Sequence, residues 1–164
     1  MGLFDRFKKE SDESRKSRLK EILSDIGCNP YDFNHDEMES YELSLQEELD
    51  EVIIGSEITY DNRERDFDFV SLNDYQNGTK FLYMAMNNRD TRETRNLIDR
   101  YSSRLGEDML LRKEFKSVDL YELENEPKGH LRTWELTFFN ITIGYSNEDN
   151  INTTYVVVYD KFIN

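Results

Sequence analysis

The spacing of apolar positions switches between helical and extended periods along the chain. Leu19, Ile22, Leu23 and Ile26 follow the i, i+3, i+4, i+7 spacing of a helix with one buried stripe. Gly27 stands where a left-handed C-terminal cap is needed, and Asn29-Pro30 stops the helix. A second stripe, Met38, Tyr41, Leu45, Leu49 and Val52, lies within about 40° of Leu45 when residues are spaced by roughly 100°. The capping box Asn34-x-x-Glu37 precedes it and Gly55 closes it, so a second helix is predicted over 34–55. Its opposite face carries Asp36, Glu39, Glu47 and Asp50, with Leu43 and Ile54 among them.

Extended periods follow. Residues 57–60 and 67–72 predict a hairpin across 61–66. A further hairpin joins 67–75 to 80–86 across Gln76-Asn77-Gly78, because Asn-Gly suits the tight turn between twisted strands. Residues 81–86 are apolar at every position, which predicts a central strand. A third helix opens with the capping box Asp90-x-x-Glu93 and runs through Leu97, Ile98, Tyr101 and Leu105 to Gly106. Strands are then expected at 118–123, 134–145 and 153–162, with a turn at 126–129. The apolar run 155–159 reads as buried on both faces, and Trp134, Tyr83, Tyr155 and Tyr159 as core. The order is α-α-β-β-β-α-β-β-β. Hairpin-linked strands in runs predict an α+β fold with a mostly antiparallel sheet of about six strands.

Residues 8–18 contain no apolar side chain and bury no face. Residues 1–18 are therefore expected to be an amphipathic tip on a polar tether, and 19–164 one folded domain. A length of 164 residues fits a single domain, and 13% aromatic content supplies a core despite only 37% hydrophobic residues.

Charge sharpens the picture. The chain holds 35 Asp and Glu against 21 Lys and Arg, a net of −14. Residues 1–20 carry a net of +3, whereas 32–68 hold fourteen acids and two arginines. An acidic surface of that density steers a basic partner. Asp36, Glu39, Leu43, Glu47, Asp50 and Glu51 are the candidate contact residues, Leu43 as an apolar anchor within the charged face. The leading expectation is a non-catalytic protein-binding domain, such as an immunity or inhibitor protein that masks a basic toxin or nuclease. A basic face for nucleic acid is not expected, since phosphate contacts need clustered Lys and Arg.

An alternative is an adaptor that touches membrane through its N-terminal tip. There Leu3, Phe4 and Phe7 alternate with Arg6, Lys8 and Lys9, and apolar insertion acts together with basic charge. A second alternative is a divalent-metal enzyme, with Asp66 and Asp68 as ligands on one strand face. Glu114-x-Lys116 has the acid-x-lysine form of metal-dependent nucleases but no acid placed ahead of it. His35 and His130 read as exposed or helix-end residues without an adjacent nucleophile. Cys28 follows a helix C-terminus, the wrong end for a reactive thiolate. One cysteine makes no internal disulfide, which agrees with a reducing, cytoplasmic compartment. No cofactor motif is present: the chain lacks both GxGxxG and GxxxxGK[ST].

Overall fold

The computed structural model describes residues 11–40, 52–60 and 65–161. The fold is α+β. Helix α1 (Asp12–Asp25) is followed by two single 3₁₀ turns, Pro30–Asp32 and His35–Glu37. The strands are β1 (Glu39–Ser40), β2 (Val52–Thr59), β3 (Phe69–Tyr75) and β4 (Lys80–Asn87), then β5 (Lys128–Glu135), β6 (Phe139–Ser146) and β7 (Thr153–Asp160). Helices α2 (Thr91–Leu105) and α3 (Ser117–Asn125) separate the two groups. The described strands form one antiparallel sheet in the order β1-β2-β3-β4-β7-β6-β5. Its strand β4 is central, as the apolar run 81–86 predicts.

Local chemistry explains the elements that match expectation. Ser11 caps α1, and Gly27 at φ 79° lets the chain turn back. Gly27 N–H then donates to the Ser24 carbonyl at 3.1 Å and Cys28 N–H to that of Leu23 at 2.9 Å, a complete Schellman cap. The Asp90 carboxylate accepts the Glu93 N–H, and the Glu93 carboxylate accepts the Asp90 N–H, so both halves of the α2 capping box are made. Gly78 at φ 85° turns β3 into β4.

Three expected elements differ. The helix predicted from Asn34 stops after one 3₁₀ turn. Asn34 does cap it, but Met38 is already extended at φ −121° and Glu39 enters β1. At the other end, the β-branched run Val52-Ile53-Ile54 belongs to β2, whose pairing with β3 extends through Gly55. Residues 41–51 lie outside those described. The strand predicted at 118–123 is helix α3. Its two buried side chains, Asp119 and Leu123, are four residues apart, and the Asp119 carboxylate holds the Lys116 N–H at its start. The long strand predicted at 134–145 is two strands, β5 and β6. They are joined by a tight turn in which Leu136 N–H donates to the Phe139 carbonyl.

Every described helix lies on one face of the sheet. That face carries Leu72, Leu82, Val158, Ile141 and Trp134 in one cross-strand row and Val70, Met84, Val156 and Ile143 in the next. Leu23 and Ile26 of α1, Leu97, Ile98 and Tyr101 of α2 and Leu123 of α3 complete the same core. Two buried charged groups on this face are paired. Arg132, 1% exposed, makes a two-pronged pair with Asp119 at 2.7 and 3.0 Å. It also donates to the carbonyls of Lys113 and Glu114. Near the opposite corner, buried Asp160 accepts the Tyr31 hydroxyl and pairs with Lys16.

The sheet ends on one side at β5. There the loop 106–113 lies along the strand: Met109 N–H donates to the Thr133 carbonyl, and the Asp108 carboxylate accepts the Thr133 N–H.

Candidate functional site

The second face of the sheet carries no described helix. Its residues follow from strand alternation, since directly paired residues share a face. One row reads Glu39, Glu57, Ser71, Tyr83, Val157, Thr142 and Thr133. Flanking rows contribute Phe81, Tyr159, Asn140 and Glu135 on one side, and Phe69, Ala85, Tyr155 and Gly144 on the other. The five aromatic side chains share this face in two contact groups, Phe69–Tyr83–Tyr155 and Phe81–Tyr159. Tyr83 and Tyr155 stack at 5.6 Å with 27° between their planes. Phe69 meets the edge of Tyr83 at 6.1 Å, and Phe81 meets Tyr159 at 6.5 Å. All five are half-buried by one another.

The face presented to solvent by a one-sided antiparallel sheet is ordinarily polar. Aromatic side chains there depart from that rule, and each supplies large contact area at small entropic cost. Burial raises the phenol pKa of both Tyr83 and Tyr155, so both hydroxyls stay protonated donors. Asn140 Oδ1, in the next row, has no hydrogen-bond partner.

Gly144 makes the stack possible. A Cβ at that position would lie 2.4 Å from the Tyr155 ring, so the ring rests directly on the glycine backbone. Gly144→Ala is expected to push the ring aside and cost about 1–3 kcal/mol, the usual range for overpacking. A urea midpoint unchanged by the substitution would show that the ring is not held there.

The charges in these rows are Glu39, Glu57 and Glu135, with no Lys or Arg. Glu39 and Glu57 are direct cross-strand partners, an arrangement that is repulsive until a cation approaches. Of the sequence-predicted contact residues, Asp36 is exposed in the 3₁₀ turn and Glu39 borders the aromatic face. Leu43, Glu47, Asp50 and Glu51 lie outside the described residues. So do Leu3, Phe4, Arg6, Phe7, Lys8 and Lys9 of the N-terminal tip. Residues 12–18 of the expected tether form the first half of α1.

The aromatic reading needs correction. Trp134 is core, 1% exposed, and its indole N–H donates to the Gly106 carbonyl. Tyr83, Tyr155 and Tyr159 are on the second face, and β7 alternates buried and half-buried positions instead of being buried on both sides. Side-chain parity carries the signal. In β4 and β7 the aromatics Phe81, Tyr83, Tyr155 and Tyr159 hold odd positions, while Leu82, Met84, Val156 and Val158 hold even ones.

His35 is not a free surface histidine. Its Nδ1 lies 2.8 Å from Ser56 Oγ and its Nε2 3.0 Å from Asp74 Oδ2, and Asp74 also binds Lys80 at 2.8 Å. The set has the composition of a hydrolytic triad, but Ser56 is fully buried and out of a substrate's reach. The network ties the second 3₁₀ turn to β2 and β3. His130 is exposed on β5.

Asp66 and Asp68 precede β3 and do not share a strand face. Asp66 pairs with Arg100 at 2.8 Å, and both Asp68 oxygens accept the Asn87 N–H. Among the described residues, no group of three or more His, Cys, Asp or Glu side chains is assembled for a metal. The Glu114-x-Lys116 pair precedes a helix, and the Glu114 carbonyl is held by Arg132. Cys28 is buried, which pushes its thiol up to about 12. No helix among the described residues is long and apolar enough to cross a membrane. Comparison with known proteins finds no matching family model, no similar curated protein and no similar solved structure.

Proposed function

We propose that the protein is a protein-binding domain and that its docking surface is the face of the sheet on which no described helix lies. The observation that carries this reading is the gathering of Phe69, Phe81, Tyr83, Tyr155 and Tyr159 on that face, in neighbouring cross-strand rows. Its acidic border and the net charge of −14 favour a basic protein partner. The same charge disfavours the alternative use of such a face, stacking of nucleic-acid bases, because among the described residues the rows that hold the rings carry no Lys or Arg for phosphates. The proposed surface is mixed, aromatic at its centre and acidic at its β1–β2 edge, where Glu39 of the sequence-predicted contact set lies. An inhibitor of a basic toxin or nuclease, working in a reducing cytoplasm, is the narrower form of this reading.

Capture from source-cell lysate at low salt, followed by a salt gradient, tests it. A basic protein retained by the wild type is expected to bind at least about tenfold more weakly to Tyr83→Ala, as a central aromatic anchor requires. Glu57→Lys, an exposed change at the acidic edge, is expected to slow association and flatten its salt dependence. Retention of the partner by both variants, with Glu124→Lys on α3 as the control, would remove this face from the interaction.

A further inference from the structure

A cavity of about 670 Å³ opens on the other side of the sheet, between α2, the first 3₁₀ turn and the inner face of β3 and β4. Its floor is apolar: Phe33, Phe67, Val70, Met84, Met86 and Leu97. The two methionines make that floor adaptable in shape. The volume lies within the range of small-molecule sites, roughly 300–1,000 Å³.

The mouth is charged, and most of its charges are already engaged. Asp66 holds Arg100 at 2.8 Å. Asp32 accepts from the Asn29 side-chain amide at 3.3 Å, and Glu93 accepts the Asp90 N–H at 2.9 Å within the α2 capping box. Among the described residues, Arg65 has no carboxylate partner. Its guanidinium is held over the Tyr60 ring at 4.9 Å, exposed at the rim. Across the mouth, Arg100 keeps one unused donor, Nε, beside its pair with Asp66. An apolar floor under an uncompensated guanidinium suits a ligand with an apolar body and an anionic head. Asp66 is paired with Arg100, while Asp32 and Glu93 keep their charge, so Arg65 is the group that takes the anionic head.

We propose that this cavity binds a small anionic amphiphile, its apolar body over Met84, Met86 and Phe67 and its carboxylate or sulfonate on Arg65. The site is separate from the proposed docking face, so each stands or falls alone.

Anilinonaphthalene sulfonate, a dye with both features, is the first probe, titrated into the full-length chain and followed by fluorescence. Saturable binding is expected, displaced by decanoate but not by decanol at equal concentration. Arg65→Gln is expected to weaken the dye by about tenfold, the worth of one charge-assisted hydrogen bond. Asn96→Trp, an exposed change at the mouth, is expected to block it while leaving the urea midpoint in place. Absence of saturable binding overturns the proposal. So does displacement by decanol as readily as by decanoate, with Arg65→Gln without effect, which would describe an apolar cleft with no anion recognition. Loss of the dye signal on Tyr83→Ala, and not on Arg65→Gln, would put the dye on the aromatic face and overturn it equally.

Discussion

Asp119→Ala is expected to cost the folded chain about 3–5 kcal/mol, the range seen when one partner of a buried ion pair is removed. The reason is what remains behind. Arg132 is 1% exposed and always charged, so without Asp119 its guanidinium stays in the core with neutral carbonyls, those of Lys113, Glu114 and Leu131, to hold it. The deletion also frees the Lys116 N–H that Asp119 accepts at the start of α3. Arg132→Lys is expected to be poorly tolerated too, because an ammonium cannot copy the two-pronged contact and bind both carbonyls. The pair can be separated from its packing by replacing both members. Asp119→Leu with Arg132→Met removes both charges and keeps apolar volume, and is expected to recover much of the loss. Urea unfolding of the single and double variants gives the coupling directly. A double variant as unstable as the sum of the singles would mean that the pair holds more than itself.

Asp108→Asn is expected to be destabilising at neutral pH and nearly neutral in strong acid. The Asp108 carboxylate is fully buried, which by itself would raise its pKa. Hydrogen bonds from the Arg112 side chain and from the backbone N–H groups of Arg112 and Thr133 outweigh that burial. They leave the carboxyl below its ordinary 3.8. A carboxyl lowered on folding stabilises the native state fully above its unfolded pKa. That contribution drains away as pH falls through the lower folded value. The gap in urea midpoint between wild type and Asp108→Asn should therefore be wide at pH 6 and close towards pH 2. A gap of constant width would show that the ionised form contributes nothing.

The parts of the fold legible in the sequence are those with local causes. Helix α2 is announced by Asp90 and Glu93 at one end and Gly106 at the other, and all three act as written. The β3–β4 hairpin follows from Asn77-Gly78. Helix α3 is nine residues long, and over so short a span Val118 and Leu120 on either side of Asp119 imitate the alternation of a strand. The helix predicted from Asn34 fails because its cap residue nucleates only one turn. His35, next in line, is drawn to Ser56 and Asp74, groups 21 and 39 residues away. No local pattern encodes such a contact. The candidate docking face was half legible. Aromatics and aliphatics separate by parity in β4 and β7, but which set meets the helices depends on the whole sheet. Arg132 shares the phase of Trp134, which placed a charge in the core and was a readable sign of a buried partner. A bulge between His130 and Arg132 then lets Leu131 point inward as well.

The loop held by Asp108 bears on how copies of this chain coexist at high concentration. Strand β5 is the last in the sheet, and a terminal strand with free amides and carbonyls is a template for another chain. Thr133 offers both groups outward, and the loop occupies both, one with a carboxylate and one with an N–H. The loop is thus a built-in stopper against polymerisation. It also presents Met109, Leu110 and Leu111, all largely exposed, to the medium. Opening it would uncover an amide pair beside three sticky side chains. Loss of the Asp108 carboxylate should consequently appear first as growth of chain-like assemblies, under conditions where most molecules are still folded.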